Sequence, residues 1–224
     1  MSTRYRAVIF DMDGVLVDSE PAFFEAVNEV LAPTSRQIDW EQYQRLLGTI
    51  EDHGSVSTTW SGVLEMLGLD AADVQPYVDR FGDALPAVLR RPRPLLPGVD
   101  ALIAELKRRQ VPIGLATSSR QAWVEALLGG VGLRLATFDA VVWRQMVEKS
   151  KPAPDLYLKA SELLGIEPEA CIAVEDTPRG IASAKAAGMY AVQARAASTA
   201  LPPIDGADLV LGTLEEFPLG MVEA

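Results

Sequence analysis

AVIFDMDGV, residues 7–15, sets a run of apolar side chains directly before Asp11, Asp13 and Gly14. A short apolar run without alternation reads as a strand covered on both faces, which is how strands of parallel sheets are built. Working outward, similar runs stand at Ile113–Ala116, Ala140–Val142, Ile172–Val174, Tyr190–Gln193 and Leu209–Leu211. Helix-patterned stretches separate them. In the clearest, after Gly98, the side chains of Val99, Leu102, Ile103 and Leu106 share one face, and Lys107, Arg108 and Arg109 suit the negative C-terminal end. The alternation predicts an α/β fold with a doubly wound, Rossmann-like parallel sheet.

About a hundred residues separate the first two strands, far more than a crossover connection uses. From Pro21 to about Arg90 the apolar spacing is helical: Phe23, Phe24, Val27 and Val30, then Trp60, Leu64 and Leu67 closed by Gly68, then Val74, Val78, Phe81, Leu85 and Leu89. The prolines at 92, 94 and 97 rule out a continuing helix and mark the return to the sheet. The expected organisation is a core of residues 1–18 and 92–224, interrupted by an all-helical cap domain at 19–91.

With 224 residues, 49% of them hydrophobic, the chain can bury a sizeable core. A net charge of −11 argues against a nucleic-acid surface, and the short basic cluster Arg90, Arg91 and Arg93 is broken by proline. No apolar run approaches the roughly 20 residues of a membrane span. The polar start Met1–Arg6 lacks a signal peptide's apolar stretch. A cytoplasmic monomer is expected. The lone Cys171 opens an apolar run and is expected to be packed rather than reactive.

Asp11 and Asp13 follow the first strand, where open α/β sheets bind ligands; a short Asp-x-Asp-Gly stretch can equally be an acidic turn or a calcium loop. In IGLATSS, the hydroxyls of Thr117, Ser118 and Ser119 suit either a helix N-cap or an anion site, with Ser118 or Ser119 capping while Thr117 and Ser118 face the anion. Lys151 in KSKPAPDLY is stiffened by Pro152 and Pro154, whereas Lys149 has no such constraint and belongs on the surface. In CIAVEDTPRGI, Glu175 and Asp176 end a strand before a helix that Thr177 can cap and Pro178 opens.

Taken together, DMDGV, TSS, KPAPD and VEDTPRGI, in that order and each at the end of an α/β unit, resemble the haloacid dehalogenase (HAD) superfamily. Within it they resemble the group of β-phosphoglucomutases and phosphoglycolate phosphatases, whose helical cap lies between the first two motifs. The resemblance implies that Asp11 attacks phosphorus and that Asp13 is general acid and base. It implies Mg2+ held by Asp11, the main-chain carbonyl of Asp13, Glu175 and Asp176, and phosphate bound by Thr117, Ser118 and Lys151. Like charges about 4 Å apart cost roughly 4 kcal/mol at an effective dielectric near 20, so such a cluster needs a cation to admit a phosphate dianion.

The resemblance also makes the cap the source of substrate choice. Its candidate loop, Leu46–His53, offers Gly48, Glu51 and His53 as substrate contacts. In β-phosphoglucomutase a lysine and an arginine flank the comparable glycine to grip a second phosphate. Here Leu47 and Ile50 stand in those places, which favours a phosphatase for a small phosphorylated metabolite over a phosphohexomutase. A hydrolytic dehalogenase would lack Asp13. A non-catalytic phosphate-binding regulatory protein is a further reading, and loss of Asp11 or Asp13 would mark it. The sequence also places Asp18 and Ser19 beside the start of the cap, either as a hinge or as a simple helix cap before Pro21.

Overall fold

A computed structural model describes residues 5–49, 56–198 and 200–223. The backbone divides into two compact units, one of residues 1–20 with 92–224 and one of Pro21–Arg91.

The first unit holds a sheet of six strands: β1 (Ala7–Phe10), β2 (Ile113–Ala116), β3 (Ala140–Val142), β4 (Cys171–Glu175), β5 (Tyr190–Ala194) and β6 (Leu209–Leu211). All pairs are parallel, in the order β3-β2-β1-β4-β5-β6. Each apolar run of the sequence is a strand, and every residue of β1 is fully buried, as its unbroken apolarity requires. The helices of this unit include α5 (Val99–Arg108), α6 (Gln121–Gly130), α7 (Asp155–Leu164) and α8 (Pro178–Ala186). α7 packs against β2 and β3, and α8 against β5 and β4. Ile9, Ala173, Leu156, Tyr157, Ala160, Ile181 and Ala184 share one continuous core.

The second unit holds four α-helices among the described residues: α1 (Glu20–Leu31), which starts one residue before it, α2 (Trp40–Thr49), α3 (Val56–Met66) and α4 (Gln75–Leu89). Its core is aromatic. Trp60 is fully buried and stands edge-on to Phe81 at 6.0 Å, and Phe24 meets Trp40 edge-on at 5.3 Å. Asn28 stands in for a backbone partner, accepting from Ile38 N–H at 2.9 Å and donating to its carbonyl at 3.1 Å. Arg91 pairs with Glu25 and Glu29 on the surface, where such contacts are worth at most about 1 kcal/mol.

One local expectation needs correction. Leu46 to Thr49, read as the start of a loop, are the last turn of α2, so Gly48 sits in a helix. Trp40, Tyr43 and Leu46 supply the helical spacing that a glycine at 48 had obscured. Glu51 and His53 lie outside the described residues.

Candidate active site

In a parallel sheet the polar residues that follow each strand collect along one edge, and here β1 lies between β2 and β4, where the strand order reverses. Phe10 is in register with Leu115 on one side and Val174 on the other. Asp11 therefore leaves β1 level with Ala116 and Glu175, one residue short of Thr117, and its N–H donates to the Val174 carbonyl at 2.9 Å.

Lys151 reaches this point from the loop before α7. Its buried ammonium lies 2.6 Å from Asp11 Oδ1, 2.5 Å from Glu175 Oε1 and 2.9 Å from the Ala116 carbonyl, three acceptors for three N–H groups. The loop is pinned to α8 by two side chains: Arg179 Nη2 donates to the Lys151 carbonyl at 2.5 Å, and Ser183 Oγ to the Ala153 carbonyl at 2.6 Å. Lys149, by contrast, is exposed.

Glu175 is fully buried. Oε1 also accepts from Tyr157 OH at 2.8 Å, and Oε2 from the Asp176 N–H at 3.2 Å. Two glycines make room for the acids. A Cβ on Gly180 would overlap the Glu175 carboxylate, and one on Gly14, whose φ is +78°, would overlap Asp176 Oδ2. Thr177 caps α8 by accepting from the Gly180 N–H at 3.1 Å.

Asp13 takes a different environment. The chain leaves the strand at Asp11 and turns after Asp13. Asp13 Oδ2 accepts from Ser119 Oγ at 2.9 Å, and the buried Ser19 hydroxyl also donates to this carboxylate. Ser119 is thus not a helix cap, and neither is Ser118. α6 begins at Gln121 with no side-chain cap, because Ser119 turns toward Asp13 and Ser118 Oγ accepts from Ser150 Oγ at 2.8 Å. The buried Thr117 Oγ1 accepts from the Ser119 N–H at 3.0 Å. Asp18 accepts from the Ser198 N–H at 2.9 Å rather than capping α1.

Carboxylate oxygens of Asp11, Glu175 and Asp176 lie within 4.8 Å of one another, the one such group of metal-ligating side chains among the described residues. Burial pushes Asp11 up to about 7 against the pull of Lys151, with Glu175 and Asp13 adding to the rise. Burial also raises Asp176, and Glu175 and Asp11 raise it further. Opposed by burial, the Lys151 ammonium is still held above its ordinary value by Asp11 and Glu175. One lysine therefore leaves the acids short of positive charge. Asp13 Oδ1 and Asp176 Oδ1 are buried with no hydrogen-bond partner among the described residues. All-oxygen donors, crowded carboxylates and orphaned acceptors fit a hard divalent cation such as Mg2+.

Tyr157, Ser119, Ser19 and Arg179 complete this arrangement; Ser119 and Ser19 were read from sequence in other roles, as a cap and as a cap or hinge, and Tyr157 and Arg179 were not singled out. Tyr157, within KPAPDLY, and Arg179, within VEDTPRGI, stood inside motifs and could have drawn notice there. Cys171 is buried and its thiol is pushed up to about 12, chiefly by burial. No helix of the described residues is long and apolar enough to cross a membrane.

Raised acids favour folding at low pH. Asp11 contributes stability that is full below its ordinary 3.8 and lost as pH climbs through about 7. The metal-free protein is expected to melt at lower temperature at about pH 8 than at about pH 5, with Asp11→Asn flattening that slope. A melting curve indifferent to both would contradict the acid cluster. Gly180→Ala, which drives a methyl into Glu175, is expected to lower stability by more than about 1 kcal/mol, read from denaturant unfolding.

Comparison with known proteins agrees with this geometry. The sequence profile of the haloacid dehalogenase-like hydrolases matches residues 5–188. Fructose-1-phosphate phosphatase YqaB of Escherichia coli is 37% identical over 197 residues, which is 87% of this chain and 99% of that protein. β-Phosphoglucomutase of Bacillus subtilis is 32% identical over 219 residues, 97% of this chain and 93% of that one. The crystal structure of CbbY from Rhodobacter sphaeroides in complex with phosphate superposes with a TM-score of 0.78 at 27% identity, covering 96% of both chains. With its parallel sheet, its converging acids and a family match over most of its length, the chain belongs to the haloacid dehalogenase-like hydrolases.

Proposed function

We propose that this hydrolase is a magnesium-dependent phosphatase that cleaves a small phosphorylated metabolite, a sugar phosphate, through an aspartyl-phosphate on Asp11. The observation that carries the reading is the tip of β1. There Asp11 is buried, gripped through Oδ1 by Lys151 at 2.6 Å, and grouped with Glu175 and Asp176, while Asp13 stands nearby on neutral hydroxyl partners.

With Oδ1 held by Lys151, Asp11 attacks phosphorus through Oδ2 as the bond from phosphorus to the ester oxygen breaks. Asp13, its carboxyl raised chiefly by burial, gives a proton to the departing alcohol. Asp13 then takes a proton from the water that attacks phosphorus, the bond to Asp11 breaks, and inorganic phosphate leaves. Thr117 and Ser118 hydroxyls, each already accepting a hydrogen bond, keep their own protons for the phosphoryl oxygens. Asp11, Glu175, Asp176 and the Asp13 carbonyl would hold Mg2+, which when bound neutralises charge on the phosphoryl group. Lys151 supports the same charge balance through its contacts with Asp11 Oδ1 and Glu175 Oε1.

The fructose 1-phosphate named for the E. coli relative supports a sugar phosphate as substrate class. Likeness to β-phosphoglucomutase supports a phosphohexomutase as the second reading, but Leu47, in the last turn of α2, offers no cation for a second phosphate. The all-helical unit Pro21–Arg91 is proposed as the cap, with Gly48, Glu51 and His53 its candidate substrate contacts.

Phosphate release from fructose 1-phosphate, other sugar phosphates and phosphoglycolate, measured with Mg2+, is expected to find at least one good substrate. Excess EDTA and Asp11→Asn should each reduce turnover to background, and Asp13→Asn should lower it by roughly 10²–10⁴-fold. Isomerisation dependent on a sugar bisphosphate, without net phosphate release, would instead establish the mutase. Full activity in EDTA would refute the metal.

A further inference from the structure

Glu175 meets three donors, Lys151, the Tyr157 hydroxyl and the Asp176 N–H, and the tyrosine belongs to no assigned part of the site. Tyr157 lies on the inner face of α7, fully buried among Leu156, Ala160, Ile9 and Ala173. Its hydroxyl donates to Glu175 Oε1 at 2.8 Å, and its ring centroid lies 5.1 Å from Lys151 Nζ. An aromatic face at that distance stabilises the ammonium, and the packed ring has no freedom to follow a moving partner.

We infer that Tyr157 is a positioning residue for the metal-binding acids, its hydroxyl fixing Glu175 within the cluster while its ring backs Lys151. This rests on the proposal that Asp11, Glu175 and Asp176 hold Mg2+. Carboxylates crowded within 4.8 Å repel one another, so an empty cluster favours rotation of one of them away. Swinging Glu175 out would strip both the Tyr157 hydroxyl and one Lys151 N–H of their acceptor inside the core. Tyr157 therefore sets the cluster in its metal-ready shape before any cation arrives. Arg179 and Ser183 serve the same end from α8 by holding the Lys151 loop, but through backbone carbonyls rather than through the acids.

Tyr157→Phe keeps the ring and removes only the hydroxyl. Calorimetric titration of the full chain with Mg2+, without substrate, is expected to show binding weakened roughly 10- to 100-fold, the range typical when a group supporting a metal ligand is lost. In a Glu175→Gln background the same change should add little, because its effect passes through Glu175. A purely structural tyrosine would lower the unfolding midpoint equally in EDTA and in excess Mg2+ and leave the Mg2+ affinity alone. If Tyr157→Phe is too unstable to titrate, the midpoints in EDTA and in Mg2+ supply the same cycle. Wild-type affinity in Tyr157→Phe, or full additivity with Glu175→Gln, overturns the inference while the metal reading stands. A wild-type protein that binds no Mg2+ overturns both.

Discussion

The contact on which the rest of this site depends is the buried ammonium of Lys151 between Asp11 and Glu175. Removing a lysine charge from water costs several kcal/mol after relaxation, and the attraction of one partner rarely returns that. Here the ammonium has three acceptors, two of them charged, and a tyrosine ring beside it. The same geometry explains why the acids tolerate each other. Without the lysine, Asp11 and Glu175 would face one another across a few ångströms in a medium where such repulsion is roughly 4 kcal/mol. The cation also couples elements far apart in sequence, since its loop leads into α7, its partners sit at the ends of β1, β2 and β4, and its backbone is tied to α8.

That coupling is a property of parallel sheets. Every strand enters from the same end, so whatever follows the strands is gathered on one edge without any need for the strands to be neighbours in sequence. Asp11, Ala116 and Glu175 are brought together by register alone: Phe10 opposite Leu115 and Val174 leaves the next residues of all three strands level, with Thr117 one residue beyond. The glycines at 14 and 180 then let the loop after β1 and the first turn of α8 close to within contact of the carboxylates. A site built this way is rigid at its base, which suits a reaction in which attacking oxygen, proton donor and charge must already be aligned.

Much of this was legible in the chain. All six strands were visible as short runs, most of them apolar without alternation, because burial on both faces removes the polar alternation that otherwise blurs a strand's limits. The polar residues at strand ends were visible for the same reason, standing out against apolar flanks. What could not be read is which side chain each of them meets. Ser119 looked like a helix cap because hydroxyls favour that place, yet its rotamer is decided by Asp13, more than a hundred residues earlier in the chain. Tyr157 drew no notice beside the apolar positions Leu156 and Ala160 of its helix. Only the packing of α7 on the sheet turns its hydroxyl toward Glu175. The end of α2 was hidden by Gly48, whose low helix propensity is outweighed by the packing of Tyr43 and Leu46.

The partners also explain how similar carboxylates can divide the labour of the proposed reaction. Asp11 and Glu175 share the positive charge of Lys151, and a divalent ion among Asp11, Glu175 and Asp176 would oppose the burial that raises Asp11 and Asp176. Asp13 stands outside that group. Its hydrogen-bond partners are the hydroxyls of Ser19 and Ser119, and a neutral donor stabilises a carboxylate far less than an ammonium does. Hydroxyls can reverse their role and accept, so Asp13 can gain or lose a proton without leaving a buried neighbour unsatisfied. Lys151 cannot do so, having donors only. An acid that must first give and then take a proton needs partners of the reversible kind, and a nucleophile that must stay charged needs the fixed kind. The chain supplies each aspartate with the set that its proposed part requires.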